Sequence, residues 1–296
     1  VFDKELFKEM FSFAGWSIVG NLGFSFKDQI SNIILNLFYG TTVNAARGIG
    51  IQVTSAVKTF ANSFSMALNP QITKQYAAGN LEESRKLVYA GSRYTFFLLT
   101  IASVPILVNI DYILVLWLGT VPEYTDQFVL FSILISLLYG LSECVTKAIQ
   151  ATGHIKWFQI GLSLIMLSEL PFAWVLMEMG FPPYAVMWPA LLTYSIAILF
   201  RFVLVCRYVK GYSIVYYFTQ VVARCLIVFG ICYMACRIMC DGLSRNIFGF
   251  AISVLICLGV TIIVVLYMGM FRSERMVLMN KIKTVITNKF QGNDKD

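Results

Sequence analysis

Long apolar stretches alternate with short polar connections along nearly the whole chain. A helix needs about 20 predominantly apolar residues to cross the hydrocarbon core of a bilayer. By this criterion the sequence predicts eight spans, at residues 12–38, 43–68, 93–118, 127–148, 157–178, 184–206, 218–240 and 247–270. We therefore predict an all-α fold, a polytopic transmembrane helical bundle.

The composition favours an integral membrane protein over a soluble one. Hydrophobic residues make up 58% of the chain and charged residues only 13%, whereas about 25% of the residues in a soluble globular domain are charged. The chain begins at Val1 and shows no signal peptide, so we expect that an N-terminal portion precedes it.

The distribution of lysine and arginine predicts the orientation of the bundle. Most of the 23 basic residues fall in every second connection, Arg201 and Arg207 among them, or in a basic tail at residues 272–296. Such residues are enriched on the cytoplasmic side of membranes, so we predict that both ends are cytoplasmic. Attraction to membrane lipids explains the tail, and no nucleic acid is predicted as a partner.

The connection at residues 69–92 is longer and more polar than the others. It follows the break at Asn69-Pro70 and turns at Gly79-Asn80. Glu82 and Lys86 then form an i, i+4 pair in the favourable order for a helix. We predict a cytoplasmic amphipathic helix at about residues 80–92.

Polar side chains form a stripe along the second predicted span. Arg47 and Lys58 are 11 residues apart, which places them about 20° from each other around a helix axis. Thr54 lies near the same line, and Asn62 lies at its edge. A helix that faces only lipid has no use for such a stripe, whereas a helix that lines a water-filled cavity does.

The first predicted span carries a matching polar face of Asn21, Ser25, Asp28 and Asn32, with steps of four, three and four residues. We expect Asp28 to be buried, Lys27 to point away from it, and Arg47 or Lys58 to be its partner, because a buried carboxylate needs a cation or a proton. Two interpretations stay open. One is a static ion pair, and the other is a cavity wall that binds a polar or anionic substrate.

Glu169 lies in the middle of the fifth predicted span, two residues before Pro171, with no cation within four residues on its own helix. Such a residue is either protonated and hydrogen-bonded or exposed to a cavity. Ionisable groups at this depth are candidates for ion coupling. We assign Glu169 and Asp28 to that class.

Signatures of enzymes are missing from the sequence. It has no GxSxG or HExxH motif and no glycine-rich phosphate loop. Cys232, Cys236 and Cys240 share one helix face, which would suit a soft metal or close packing of small residues. We favour packing, and we predict no metal site and no cofactor.

Several motifs around the second span resemble those of the polysaccharide transporter family, the lipid-linked oligosaccharide flippases of the MOP superfamily, which also includes the MATE exporters. They are NAARGI (Asn44–Ile49), the region of Gln52, NPQITK (Asn69–Lys74), YAAGN (Tyr76–Asn80) and the preceding GWSIVGNLG (Gly15–Gly23). The resemblance implies the C-terminal lobe of a MOP/MATE-like flippase. It divides the chain into a six-helix lobe at 1–210, an additional helix pair at 211–271 and the tail at 272–296.

The resemblance also implies a function. Such a protein translocates polyprenyl-diphosphate-linked oligosaccharide repeat units by alternating access in the bacterial plasma membrane, for the synthesis of O-antigen, capsule or exopolysaccharide. The implied partners are a missing N-terminal lobe of the same protein, a polysaccharide polymerase and glycosyltransferases.

A cationic cavity for the diphosphate is implied as well, and Arg47 and Lys58 match it better than Lys27 does. The other predicted substrate-binding residues are polar: Asn21, Ser25, Asn32, Thr54 and Asn62. The alternative function is a MATE-like, cation-coupled multidrug exporter, for which acidic cavity residues would be expected.

Overall fold

The computed structural model describes residues 4–243, 246–276 and 279–280, and no β-strand occurs among them. The predicted all-α fold is therefore confirmed. In chain order the helices are α1 (Lys4–Ala77), α2 (Leu81–Val108), α3 (Ile110–Leu118), α4 (Thr125–Ala151), α5 (Ile155–Leu167), α6 (Glu169–Glu178), α7 (Met187–Tyr208), α8 (Ile214–Tyr217), α9 (Arg224–Cys240) and α10 (Ile247–Val264). Most of the predicted basic tail lies outside the described residues.

Six helical segments of the described chain are long and apolar enough to cross a membrane: Leu81–Val108, Thr125–Ala151, Ile155–Glu178, Pro183–Tyr208, Ile214–Cys240 and Ile247–Gly269. They correspond to the last six predicted spans. The first two predicted spans both lie in α1. Helix α1 is not among the six, since its polar residues lower its mean hydropathy.

Helix α1 reverses direction at Gly40. This residue has φ 79° and ψ −176°, whereas its neighbours are helical. Arg47 donates a hydrogen bond to Asn32, 15 residues earlier, although 15 residues of straight helix extend about 22 Å. Helix α1 is therefore an antiparallel hairpin with a first limb (residues 4–39) and a second limb (residues 41–77).

Small residues bring the first limb close to α5. A Cβ atom added to Gly20 would collide with the side chain of Gln159, and one added to Gly23 would collide with Ser163. In membrane bundles, small residues allow backbones to approach and increase van der Waals contact. These two glycines thus place the inner face of the first limb, which includes Lys27, against the segment that leads to Glu169.

Helix α4 lies in the middle of the bundle and contacts α1, α2 and α7. Its fully buried residues include Phe128, Ile133 and Leu141. Ile133 and Leu141 pack in one cluster with residues of the neighbouring helices, such as Phe96 and Phe202, which are also fully buried. This packing fixes the distances between the helices that carry the polar residues described below.

The predicted amphipathic segment at 80–92 is not a separate helix. It forms the first turns of α2, which continues to Val108. Lys86 is 3.1 Å from Glu82 and 2.9 Å from Glu83, and Arg93, on the same helix, is buried. The helix continues through Gly91, which is buried and leaves no room for a Cβ atom beside Leu68 and Cys144. The predicted span 93–118 is instead divided at Asn109, between α2 and α3.

The additional helix pair packs on α2 through α9 and α10. Arg93 forms an ion pair with Glu274, and the guanidinium carbons of Arg93 and Arg224 lie 4.5 and 4.1 Å from the ring centroid of Phe271. Between α9 and α10, the sulfurs of Cys240 and Cys257 are 3.8 Å apart. Within the described ranges, no group of three or more His, Cys, Asp or Glu side chains could hold a metal ion.

We predict that Gly40→Ala destabilises the protein. The φ and ψ values of Gly40 lie in a region that only glycine adopts readily, and another residue held there costs about 1–3 kcal/mol. A Cβ atom would meet nothing within 4 Å, so the effect is conformational and not steric. The measurement is the free energy of unfolding in mixed micelles.

Gly48→Ala is the matched control for this prediction. Gly48 lies inside the second limb, has no positive φ, and also leaves open space for a Cβ atom. Alanine is favoured over glycine in a helix by about 1 kcal/mol, so this variant should be at least as stable as the unaltered protein. Equal stability of the two variants would contradict the proposed hairpin constraint.

The predicted orientation can be tested by cysteine labelling. Glu123 and Glu83 are both exposed and lie at opposite ends of the bundle. In a background without the seven native cysteines, we expect a cysteine at Glu123 to react with an impermeant thiol reagent added outside the cell. A cysteine at Glu83 should react only after the membrane is opened, and the reverse pattern would contradict the orientation.

Candidate functional site

Lys27 and Glu169 form a buried ion pair between the first limb and α6. The distance from Lys27 Nζ to Glu169 Oε2 is 3.3 Å, and their side chains are 6% and 4% exposed. The hydroxyl of Thr193 donates to the same carboxylate oxygen at 3.4 Å. Glu169 therefore has a cation that its own helix does not supply. Its predicted role in ion coupling stays a prediction, as does that of Asp28.

Arg47 lies beside Asp28 in the hairpin. Its Nη1 donates to Asn32, its Nη2 is 3.7 Å from Asp28 Oδ1, and its Nε has no hydrogen-bond partner among the described residues. Only the first of these contacts is a hydrogen bond, so the Nη2 and Nε groups of the buried guanidinium have hydrogen-bonding capacity that the described residues do not use.

Two expectations about Asp28 are wrong. Its side chain is 58% exposed, because the face of the first limb that carries it is not covered by another helix. Lys27 does not point away from it, since Lys27 Nζ is 3.4 Å from Asp28 Oδ1. The long, flexible lysine side chain reaches around the helix, which an angular argument based on Cα positions does not capture.

Lys58 is a half-buried cation without a carboxylate partner. No carboxylate of the described residues lies within the 4 Å of an ion pair, so Lys58 is not the close partner of Asp28. Its Nζ lies 5.1 Å from the ring centroid of Tyr139 on α4. A cation over an aromatic face is attracted to it, but the positive charge is not neutralised.

Arg201 is a further buried cation, which the sequence analysis placed in a cytoplasmic segment. The structure buries it to 2% exposure, with a hydrogen bond from Nη1 to Ser142 Oγ at 3.0 Å and no partner for Nε in the described chain. Arg201 lies inside the predicted span 184–206, and this position was the signal that could have revealed its burial.

The other predicted site residues divide into two groups. Thr54 is buried and donates to the carbonyl of Gly50 at 2.8 Å, and Asn32 accepts from Arg47. Asn21, Ser25 and Asn62 are exposed and make no hydrogen bond among the described residues. Thus only part of each predicted polar face contacts the charged cluster, a name we use for Lys27, Asp28, Arg47, Lys58 and Glu169.

A row of hydroxyl groups on the second limb was not predicted. Ser55, Thr59 and Ser63 are exposed, and each donates to the carbonyl four residues earlier, at 2.9, 3.0 and 3.1 Å. Their oxygens remain free to accept hydrogen bonds. The spacing of four residues was a signal for one polar helix face, and such a face within a span is suited to water and not to lipid.

We predict that Glu169→Gln destabilises the protein, by about 3 kcal/mol, because removing one partner of a buried pair leaves the other charge uncompensated. The double variant Lys27→Met/Glu169→Leu should recover most of the loss, since it removes both charges. The measurement is the free energy of unfolding in mixed micelles.

Glu83→Gln is the control, because Glu83 is exposed and its pairing with Lys86 is worth at most about 1 kcal/mol. If Glu169→Gln were no less stable than Glu83→Gln, the pair with Lys27 would not have the structural importance inferred here.

The comparisons with known proteins support one family. No curated protein and no solved structure matches the chain. The MatE family model matches residues 17–175, more than half of the chain, and this range includes Lys27, Gly40, Arg47 and Glu169. Members of this family are transporters, and the six apolar helices agree with a multi-pass membrane protein. The chain belongs to the MatE family, and it is a membrane exporter or flippase of the MOP superfamily.

Proposed function

We propose that this protein takes part in flipping polyprenyl-diphosphate-linked oligosaccharides, and that it binds their diphosphate at the hairpin of α1. The observation that carries the proposal is the excess of positive charge there. Lys27, Arg47 and Lys58 of the hairpin and Arg201 of α7 lie inside the bundle, and of these only Lys27 and Arg47 have a carboxylate of the described residues within 4 Å.

The position of the Asp28 carboxylate indicates where the anion would bind. It lies 3.4 Å from Lys27 Nζ and 3.7 Å from Arg47 Nη2, and Lys58 interacts with it at longer range. The limbs are antiparallel about Gly40, so Asp28 is level with the region between Arg47 and Lys58. An anion that replaced this exposed carboxylate would contact Lys27 and Arg47 and would also be attracted by Lys58.

A diphosphate is better suited to this position than the carboxylate of Asp28. It carries more charge, and its oxygens can accept two parallel hydrogen bonds from a guanidinium. The contact between Arg47 and Asp28, at 3.7 Å, is longer than a hydrogen bond. Exchange of the carboxylate for the diphosphate would therefore break no strong bond.

The exposed polar residues would serve the oligosaccharide. Asn21 and Ser25 on the first limb, and Ser55, Thr59 and Asn62 on the second, offer hydrogen-bonding groups on exposed faces. Sugars need many such groups, which an apolar wall cannot supply. We place this function in the bacterial plasma membrane, with both chain ends in the cytoplasm.

One observation favours the alternative, a cation-coupled multidrug exporter. Asp28 is the most exposed member of the charged cluster, and an exposed carboxylate attracts organic cations. The two cations within 4 Å of Asp28 oppose that attraction, so we retain the flippase as the proposal.

The proposal is tested by binding of farnesyl diphosphate to the purified protein in micelles, measured by calorimetry with farnesol as the uncharged reference. Arg47→Ala and Lys58→Ala should each weaken binding by about one to two decades, since a charge-assisted hydrogen bond contributes about 1.5–3 kcal/mol. Arg47→Lys should be intermediate, because it keeps the charge and loses the bidentate geometry. Asp28→Asn should strengthen binding, since it removes a competing anion.

Lys74→Ala is the control, because Lys74 is an exposed cation at the end of the second limb and outside the cluster. Equal affinity for farnesyl diphosphate and farnesol would overturn the diphosphate site. Binding of tetraphenylphosphonium that is lost in Asp28→Asn, together with unchanged diphosphate binding in Arg47→Ala, would establish the alternative function.

A further inference from the structure

We propose that a groove between the first limb, α5 and α7 binds an anionic phospholipid of the surrounding bilayer. This groove, here called the interfacial groove, lies at the end of the bundle where α5 begins and α7 ends. It has a volume of about 1870 Å³. It is separate from the charged cluster, so the inference does not rest on the proposed diphosphate site.

The polar end of the interfacial groove is cationic. The cations that line it are Lys8, Lys156 and Arg207, beside His154, and none of the described Asp or Glu residues lines it. Arg207 is exposed and has no hydrogen-bond or ion-pair partner in the part of the chain that the structure describes. The groove therefore offers positive charge that no described side chain neutralises.

Two further features of this end favour a phosphate group. Helix α5 starts here, and no side chain caps its first turn, so its free N–H groups and helix dipole attract an anion. Lys156 Nζ lies 5.3 Å from the ring centroid of Trp16 and 5.5 Å from that of Trp157. The two indole rings thus hold the ammonium group at the mouth of the groove.

The remaining wall of the groove is apolar, which distinguishes a lipid from a soluble phosphate. It is formed by Phe13, Trp157, Ile160, Leu164, Phe200 and Leu204. From the start of α5 to Leu164 the groove follows about 14 Å of helix. One leaflet of a bilayer core of about 30 Å has nearly the same thickness. The groove thus combines a headgroup site with a wall as long as an acyl chain.

The position of the aromatic residues agrees with this placement. Trp16, Trp157 and Tyr208 surround the cations, and tryptophan and tyrosine are enriched where membrane meets water. The ring centroids of His154 and Tyr208 are 5.2 Å apart. The cations lie at the level of the membrane that the aromatic residues indicate, where the lipid headgroups are. They therefore favour a phospholipid with a net negative headgroup, such as phosphatidylglycerol, over a zwitterionic one.

The test uses brominated lipids, which quench tryptophan fluorescence at short range. In the full chain, Trp117, Trp174 and Trp188 are replaced by Phe, so that only Trp16 and Trp157 remain. The protein is placed in phosphatidylcholine vesicles that contain a small fraction of brominated phosphatidylglycerol or brominated phosphatidylcholine. We expect stronger quenching by the anionic lipid, with an enrichment of about fivefold for each contributing cation.

The double variant Lys8→Ala/Arg207→Ala should lose most of this preference for the anionic lipid. The control is Lys74→Ala/Lys210→Ala, which removes the same charge from exposed positions outside the groove. This control should keep the preference. Equal quenching by the two lipids, or an equal loss in both double variants, would overturn the site. Added glycerol phosphate should not reduce the quenching. If it did, the occupant would be a soluble phosphate ester and the lipid assignment would be wrong.

Discussion

Lys27, Arg47 and Glu169 each place an ionised group in a part of the bundle that has little access to water. A buried charge without a partner costs several kcal/mol, and the cost is reduced only when an opposite charge lies close by. Lys27 therefore couples the first limb of α1 to α6 through Glu169. The same requirement brings Arg47 next to Asn32 and Asp28. The pairing of these charges and the packing of these helices therefore depend on each other.

The hairpin makes this pairing possible. The two limbs of α1 are antiparallel because Gly40 adopts a backbone conformation that residues with a side chain rarely adopt. This places Arg47 on the second limb beside residues of the first limb that precede it by 15 and 19 positions. Gly20 and Gly23 then allow α5 to approach closely. Three glycines thus determine where the charged side chains meet.

The pairing of buried charges is incomplete, and the charges left without a close partner are those on which the proposed transport function rests. Lys58 and Arg201 have no carboxylate of the described residues within 4 Å, and Asp28 is exposed next to two cations. A bundle built only for stability would gain by replacing such groups with apolar ones. An excess of positive charge beside an exposed row of hydroxyl groups is suited to a polar, anionic cargo. The MatE membership gives the transporter class, and the cluster supports the choice of substrate.

The apolar lengths and the spacing of polar residues were enough to predict the all-α bundle, the last six spans and the polar faces of α1, because these depend on periodicity along one helix. The wider superfamily was indicated by the resemblance of the motifs around Asn44–Asn80 to those of a known family. Sequence spacing states which residues share a face, but not which face meets another helix. The partner of Glu169, the exposure of Asp28, the isolation of Lys58 and the burial of Arg201 were therefore decided only by the tertiary structure. Each depends on the distance between helices far apart in the chain, and that distance is set by close packing of side chains that no local pattern encodes.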